Sequence, residues 1–273
     1  MITSDITWNE LYSSQEKFKS YFNDIGFIWV KNFIESPDQF QEIVDRYTLT
    51  YSNDATRRSN RFGTTRIKNV DYGFGEIPLH SESSFSPNCP EIIWFYCVHT
   101  PSNSSESTRI CDGSRVWKKL SKSTKHFLLS NPIEYELSID LGREISNREW
   151  FINRPGCGNA FINEGRLNFT SKRYAVNELF DSSGKSYIAF ANHLFAPLEQ
   201  ETQILSRKVK GQEIPSSLIQ ECNEICKEET KDILWESGDF IFLNNKRFMH
   251  GRKEINKDSK RDIVISQTEK AVF

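Results

Sequence analysis

The chain has 273 residues, of which 37% are hydrophobic and 26% are charged, and its formal net charge is −2. A chain of this length can bury a sizeable core, and its nearly balanced charge provides no overall field toward nucleic acid or anionic lipid. The expected partner is therefore a small molecule. Residues 1–5 contain no basic residue and no apolar segment follows them, and no run approaches the roughly 18 apolar residues that a membrane span needs; the expectation is a soluble, cytoplasmic protein.

The six cysteines are scattered along the chain without a CxxC pair. This distribution is typical of reduced, packed thiols and not of a disulfide framework. Cys222 and Cys226 lie one helical turn apart, and a metal pair is the alternative interpretation of their spacing.

The first fifty residues have apolar side chains near the helical period, and Ser36-Pro37-Asp38 predicts the start of a second helix. Residues 26–30 are expected to form a strand between the two helices. Residues 51–76 are polar, which favours a loop or an irregular edge strand. This segment is also basic, and a solvated face is the plain interpretation. The alternative is a lid that binds a substrate carboxylate or the phosphopantetheine of a carrier protein; the basic residues are Arg57, Arg58, Arg61, Arg66 and Lys68.

The remainder of the chain alternates short apolar runs with turn residues. Residues 92–98 are apolar enough to form a buried central strand. Further strands are expected at 108–111, within 133–195, and at 233–235, 240–243 and 263–265, with helices at 114–129 and 215–229. The absence of repeats and linkers favours one domain over residues 1–273, with helical decoration at about 1–50. The pattern predicts a mostly β fold, a sandwich or barrel with flanking helices.

Two histidines and a carboxylate form the main candidate site. In a strand, residues two apart point to the same face, so His80 and Glu82 could present ligands to one ion. His250 follows the strand predicted at 240–243 and would supply a second imidazole. Two histidines and one carboxylate leave three open positions on an octahedral Fe(II), as in the facial triad of non-haem oxygenases.

An arginine could hold the distal carboxylate of a 2-oxo acid, because its planar guanidinium binds carboxylates in a bidentate manner. Arg261 lies eleven residues after His250, on a strand predicted to return beside the His250 strand. Arg252 is the alternative, since it would share a face with His250 if the strand continued. Gly251 between them makes a turn equally compatible with the sequence.

The segments that contain these residues resemble one known family. They are residues 79–87, 90–96, 106–112, 238–252 and 260–261. In their order and spacing they are similar to the Fe(II)/2-oxoglutarate-dependent dioxygenases of the taurine dioxygenase and clavaminate synthase type. The likeness is closest to the branch that hydroxylates amino acids in natural-product pathways.

The resemblance implies a double-stranded β-helix, or jelly-roll, core over about residues 75–268. It also implies His80, Glu82 and His250 as iron ligands, Arg261 as the anchor of 2-oxoglutarate, and Thr108 as the hydroxyl partner of that anchor. The family usually has Gly-Gly before the threonine, whereas this chain has Ser104 to Ser107. Related halogenases have a small residue at the position of Glu82, so a glutamate there argues against halogenation.

The expected activity is hydroxylation of an unactivated C–H bond in an amino acid or amino-acid-derived molecule, free or carrier-tethered. Dioxygen and 2-oxoglutarate would be consumed, and succinate and carbon dioxide released. Desaturation or cyclisation by the same cofactors is one alternative, and a non-catalytic jelly-roll binding protein or a Zn or Mn site are others. Six further polar residues are interpreted as packing, surface, capping or turn residues: His99, His126, His193, Asp112, Arg115 and Asp239. Contact with the substrate is the alternative for Asp112 and Arg115, and a position facing the pocket is the alternative for His193.

Overall fold

The computed structural model describes residues 8–52, 58–70, 73–86, 89–101, 106–140, 158–192, 194–195 and 204–273. The helices are α1 (Trp8–Ser13), α2 (Gln15–Asp24), α3 (Pro37–Arg46), α4 (Gly113–Lys119), α5 (Lys122–Ser130) and α6 (Ser216–Glu229). The first nine strands are β1 (Phe27–Val30), β2 (Thr48–Tyr51), β3 (Asn60–Arg61), β4 (Thr64–Asn69), β5 (Ile77–His80), β6 (Ile92–His99), β7 (Ser107–Asp112), β8 (Ile133–Asp140) and β9 (Gly158–Asn163). The others are β10 (Arg166–Arg173), β11 (Val176–Phe180), β12 (Ser186–Phe190), β13 (Ile204–Val209), β14 (Gln212–Glu213), β15 (Thr230–Leu234), β16 (Phe240–Asn244), β17 (Phe248–Arg252) and β18 (Asp262–Ala271).

Two antiparallel sheets form the centre of the molecule. The larger has seven strands in the order β1-β16-β6-β18-β4-β3, with β2 also paired to β18, and the smaller has four in the order β15-β7-β17-β5. Buried side chains from both sheets, including Phe95, Ile110, Ile241 and Phe248, form one apolar cluster. This cluster therefore lies between the sheets, as in a jelly-roll.

The period-two alternation of the central strands explains why their sequences are almost continuously apolar. On β6, Trp94 and Tyr96 belong to the cluster that contacts α1, α2 and α3, whereas Phe95 and Cys97 belong to the cluster between the sheets. Both faces of this strand are buried, so neither tolerates the polar residues of a solvated face. The predicted central strand is confirmed.

A third buried cluster covers the outer face of the smaller sheet. Cys111 and Met249 of that sheet pack there with residues of α4, α5 and α6 and of the five-stranded sheet β14-β13-β8-β10-β9. The predicted fold, mostly β with flanking helices around a jelly-roll core, is confirmed. The single-domain assignment stays a prediction. In the described part of the chain, no helix has the length and apolar character required to cross a membrane.

Two details of the predicted elements are wrong. The helix expected at 114–129 is two helices, because Leu120 adopts an extended conformation and the Ser121 side chain accepts a hydrogen bond from the Thr124 N–H, which starts α5. The strand after Arg261 does not return beside the His250 strand. It pairs with β6, β4 and β2 in the larger sheet, whereas His250 lies in the smaller one.

Candidate active site

The two histidines face each other on neighbouring strands of the smaller sheet. His250 on β17 is the register partner of His80 on β5, and their ring centroids are 4.4 Å apart. The His80 Nδ1 lies 2.9 Å from the carbonyl oxygen of Pro78, which fixes the orientation of the ring. The Nε2 atoms of both histidines lie 3.8 Å from Glu82 Oε2. All three ligand atoms lie within 4.8 Å of one another, so the structure brings the predicted triad together.

Glu82 does not reach this position from a strand, which corrects the sequence prediction. Strand β5 ends at His80, and the chain enters a turn at Glu82. Ser83 in that turn has a left-handed backbone with φ of 52°, and the Ser84 N–H donates to the Ser81 carbonyl. The carboxylate therefore turns back toward the imidazoles because of the turn and not because of strand alternation.

The electrostatics of the cluster suit a metal ion. Burial alone would raise the pKa of Glu82, but the Arg58 guanidinium and the two imidazoles hold it well below its usual range. Burial lowers the pKa of His250 well below its ordinary value, and neighbouring His80 adds to this effect. The triad thus offers a carboxylate and a neutral imidazole nitrogen at His250, the protonation states that a divalent metal requires. Two nitrogens and one oxygen fit Fe(II) as a ligand set.

Arg58 enters the site from the basic segment, so the solvated-face interpretation is wrong for this residue. Its side chain is 4% exposed, and Nη2 lies 3.1 Å from Glu82 Oε2. Arg61 and Arg66 of the same segment form ion pairs away from the triad, with Asp262 and Asp45 respectively. Arg57 lies outside the described residues.

Gly251 allows the two histidine strands to approach. A Cβ at this position would lie 2.6 Å from the Ile77 carbonyl oxygen and 3.1 Å from the Pro78 carbonyl oxygen. Such contacts with backbone atoms cannot be relieved by rotating a side chain. The strand continues through Gly251 to Arg252, with a register shift on the β5 side, and the alternative of a turn at Gly251 is wrong.

Arg261 and Thr108 contact each other in the cavity that the two histidines also line. Arg261 Nη2 donates to Thr108 Oγ1 over 2.8 Å, and Trp235 Nε1 donates to the same oxygen over 2.8 Å. A hydroxyl that accepts two hydrogen bonds still has its own hydrogen to donate. Burial, with the nearby Arg252 cation, lowers the pKa of Arg261 to about 10, so the guanidinium stays charged at neutral pH. Its Nε is buried without a hydrogen-bond partner in the described part of the protein.

Arg252 also lines the site but is held by the backbone. Its Nη2 donates to the carbonyl oxygens of Gly73 and Gly75, each over 2.9 Å. The side chain therefore fixes the segment before β5, and its charge adds to the positive field around Arg261.

A cavity connects these groups. It encloses about 450 Å³ including its open mouth, which is within the usual size range of small-molecule sites. His80, His250, Thr108 and the three arginines supply its polar lining. The apolar wall consists of Val70, Ile77, Phe95, Ile263 and Ile265.

The remaining candidates lie elsewhere. His99 and His126 are exposed, and His193 lies outside the described residues, as do residues 104 and 105. Asp112 caps α4 by accepting from the Ser114 N–H, as expected. Arg115 donates to Glu229 at the surface.

Asp239 serves the predicted turn, and the thiols are packed. The Asp239 carboxylate accepts hydrogen bonds from Trp29, Lys31 and the backbone N–H groups of Asn32 and Glu236. Cys222 and Cys226 are buried free thiols. The only group of three or more His, Cys, Asp or Glu side chains positioned for a metal, among the residues that the structure describes, is the triad.

Sequence reasoning gave no role to two residues that shape the site. The sequence predicts Trp235 only as the end of an apolar strand, and its hydrogen bond to Thr108 depends on the pairing between β15 and β7. Asn245 contacts the backbone of Glu82. A polar pair, Asn244-Asn245, at the end of an apolar strand is the signal that could have indicated it.

A jelly-roll whose interior presents two histidines and one carboxylate, beside a buried arginine, is the architecture of the Fe(II)/2-oxoglutarate-dependent dioxygenases. Enzymes of this class use Fe(II), 2-oxoglutarate and dioxygen. The chain belongs to the family described as taurine catabolism dioxygenase TauD, TfdA family, whose sequence profile matches residues 3–266. The resemblance of the sequence to this class is thereby confirmed.

Individual relatives are distant. The chain is 22% identical over 194 residues to 3-((Z)-2-isocyanoethenyl)-1H-indole synthase of Fischerella ambigua (strain UTEX 1903), a match that covers 69% of this chain and 62% of that protein. It is also similar in structure to a taurine dioxygenase from Burkholderia xenovorans, with a TM-score of 0.60, 13% identity, and coverage of 97% of this chain and 81% of the other. A third similarity is to AAD-2 in complex with Mn(II) and N-oxalylglycine, with a TM-score of 0.60, 13% identity, and coverage of 99% and 90%.

Proposed function

We propose that the protein is an Fe(II)- and 2-oxoglutarate-dependent oxygenase that hydroxylates an unactivated C–H bond of an amino acid or amino-acid-derived small molecule. The observation that carries the proposal is the convergence of His80, Glu82 and His250 next to the pair formed by the half-buried Arg261 and the buried Thr108. One cavity thus combines a metal-binding triad with a cationic pocket.

His80, Glu82 and His250 would hold the iron. When bound, the iron and 2-oxoglutarate would supply dioxygen activation, with succinate and carbon dioxide as coproducts. The protein itself would contribute by positioning the metal ligands, the cosubstrate and the substrate. Phe95 packs edge-on against His250, with ring centroids 5.3 Å apart. This contact would help to fix the plane of the imidazole and would exclude water from that side of the ring.

Arg261 and Thr108 would bind the distal carboxylate of 2-oxoglutarate. The guanidinium supplies the charge, and the Thr108 hydroxyl, already accepting from Arg261 and Trp235, has one hydrogen to donate. Phe95, Ile263 and Ile265 offer an apolar wall to the methylene groups. The structure of AAD-2 with Mn(II) and N-oxalylglycine supports such a pocket in this fold, because N-oxalylglycine differs from 2-oxoglutarate only in having NH in place of one methylene.

Arg58 would face the substrate and supports the assignment to amino acids. The cavity lining includes Arg58, Arg252 and Arg261, and Arg58 forms an ion pair with Glu82, the carboxylate of the triad. The charges of Fe(II) and of the 2-oxoglutarate dianion would offset each other. The arginines would therefore leave the cavity with a net positive charge that an anionic group of the substrate could neutralise. A substrate α-carboxylate would provide it.

Desaturation is the second candidate. The name of the Fischerella relative describes an indole with an isocyanoethenyl, hence unsaturated, side chain. Removal of two hydrogens and insertion of oxygen can begin with the same hydrogen abstraction, so the two outcomes share a site. Both alternatives fit specialised metabolism, whether the substrate is free or carrier-tethered.

The test has two parts. Anaerobic Fe(II) plus 2-oxoglutarate should give a weak visible charge-transfer band, and its absence from a folded sample would favour a binding protein or another metal. A panel of amino acids and related metabolites should then include one that stimulates succinate release. A product heavier by one oxygen indicates hydroxylation, and a product lighter by two hydrogens indicates desaturation or ring closure. His80→Ala and His250→Ala should abolish the stimulated release.

A further inference from the structure

One buried amide holds both backbone polar groups of Glu82. The Glu82 N–H donates to Asn245 Oδ1 over 2.8 Å, and Asn245 Nδ2 donates to the Glu82 carbonyl oxygen over 2.9 Å. The two groups that a strand partner would satisfy are thus satisfied by a single side chain, 163 residues away in sequence.

Glu82 needs such support because the sheet does not provide it. His80 is fixed by pairing with β17, but β5 ends there, and the chain turns through the left-handed Ser83. The Glu82 side chain has three rotatable bonds beyond its Cα, so a small rotation of the backbone would move the carboxylate away from the two imidazoles. The position of the third ligand therefore depends on what holds its peptide groups.

Asn245 is itself firmly held. It is 0% exposed, it follows the last residue of β16, and its N–H donates to the Glu91 carbonyl over 3.0 Å. Its Nδ2 also donates to the Pro90 carbonyl oxygen over 3.0 Å. This network assigns the orientation of the amide, because a flipped amide would direct Oδ1 at two carbonyl oxygens and Nδ2 at an N–H.

We infer that Asn245 is a positioning residue for the metal site, acting through the backbone of Glu82. Asn245 directly follows β16 of the larger sheet, so its hydrogen bonds hold Glu82, which lies in a turn outside both sheets, in a fixed position relative to that sheet. The inference rests on the proposed role of Glu82 as a metal ligand. Partners that orient metal ligands typically contribute 10- to 100-fold to metal affinity.

The test is Ni(II) binding by calorimetry, without cosubstrate, combined with thermal unfolding. Asn245→Ala should weaken Ni(II) binding by about 10- to 100-fold. The matched control is Asn244→Ala, since Asn244 is also a buried asparagine and its side chain accepts from the Lys246 N–H without touching the triad. The control should keep its Ni(II) affinity even where its melting temperature falls as far as that of Asn245→Ala.

A double-mutant cycle separates positioning from general loosening. In a Glu82→Ala background, Asn245→Ala should cause no further loss of Ni(II) affinity, because the ligand through which it acts is gone. An equal loss in both backgrounds, or an Asn244→Ala variant as weak as Asn245→Ala, would overturn the inference. Should Asn245→Ala not fold, Asn245→Ser and Asn244→Ser serve for the same comparison.

The same data distinguish the two proposals. If Glu82→Ala binds Ni(II) as tightly as the wild-type protein, the proposed metal site is wrong. If Glu82→Ala weakens binding and Asn245→Ala does not, the metal site stands and the role of Asn245 is wrong.

Discussion

Arg261 donates a hydrogen bond of 2.8 Å to the hydroxyl of Thr108 and thereby joins the two sheets of the jelly-roll. Arg261 directly precedes β18 of the larger sheet, and Thr108 lies on β7 of the smaller one. The contact sets the distance between the half-buried Arg261 cation and the strand of His250, since β7 is also the neighbour of β17.

Loss of this pair should weaken cosubstrate binding. Hydrogen bonds to charged groups contribute about 1.5–3 kcal/mol, so Arg261→Gln should raise the dissociation constant for 2-oxoglutarate at least tenfold. Thr108→Val should have a smaller effect in the same direction. Titration of the anaerobic charge-transfer band measures both. The control is Arg66→Gln, which removes a surface pair with Asp45, and equal affinities of Arg261→Gln and this control would contradict the assignment.

Replacement of Arg58 should affect substrates according to their charge. If Arg58 binds a carboxylate, Arg58→Gln should raise the KM of an amino-acid substrate about tenfold or more. The methyl ester of the same substrate should bind the wild-type protein and the variant equally weakly. An ester that the wild-type protein uses as well as the acid would contradict this role.

Gly251 should not accept a side chain. Gly251→Ala would place a methyl group 2.6 Å from the Ile77 carbonyl oxygen, so β5 must move away from β17 and carry His80 with it. The expected result is a loss of metal affinity together with a lower melting temperature. Gly75→Ala is the matched control because a Cβ at Gly75 meets nothing within 4 Å. Wild-type Ni(II) affinity in Gly251→Ala would refute the proposed requirement for close approach.

Asp239 should matter for stability and not for chemistry. Its carboxylate is 0% exposed, and removing it takes the shared acceptor away from four donors of the turn, so Asp239→Ala should lower the free energy of unfolding by about 1–3 kcal/mol. Glu236→Ala removes the neighbouring exposed partner of Lys31 and should cost less than about 1 kcal/mol. Denaturant unfolding compares the two. Ni(II) affinity should be unchanged in both variants, and an altered affinity would show that the turn contributes to the site.

The class of fold and the proximity of His80, Glu82 and His250 could be predicted from the sequence, because both depend on strong local signals. The apolar run of β6 and the histidine after β16 are examples. The path of Glu82 could not be predicted from the sequence. A His-x-Glu spacing fits both a strand and a strand followed by a turn, and the choice is made by Ser83 and by a distant asparagine.

Local sequence patterns also do not predict which of the two sheets a strand joins. The resemblance implies that Arg261 and Thr108 act together, and their side chains are in contact, but the strand that follows Arg261 does not lie beside that of His250, where the sequence predicts it. Strand partners in a jelly-roll are set by long connections that leave no periodic signal. The inward direction of Arg58 is another case, since composition described the basic segment as a whole and only the fold separates Arg58 from Arg61 and Arg66.

The Arg61–Asp262 pair has a consequence for protein engineering. Arg61 donates through both terminal nitrogens to Asp262, the residue next to Arg261. This ion pair therefore holds the segment that contains Arg58 against the larger sheet, next to Arg261, the residue proposed to bind 2-oxoglutarate. Exchange of the residues that precede Arg61 would offer a route to altered substrate preference. A segment grafted from a related protein should end before Arg61, so that the Arg61–Asp262 pair is kept.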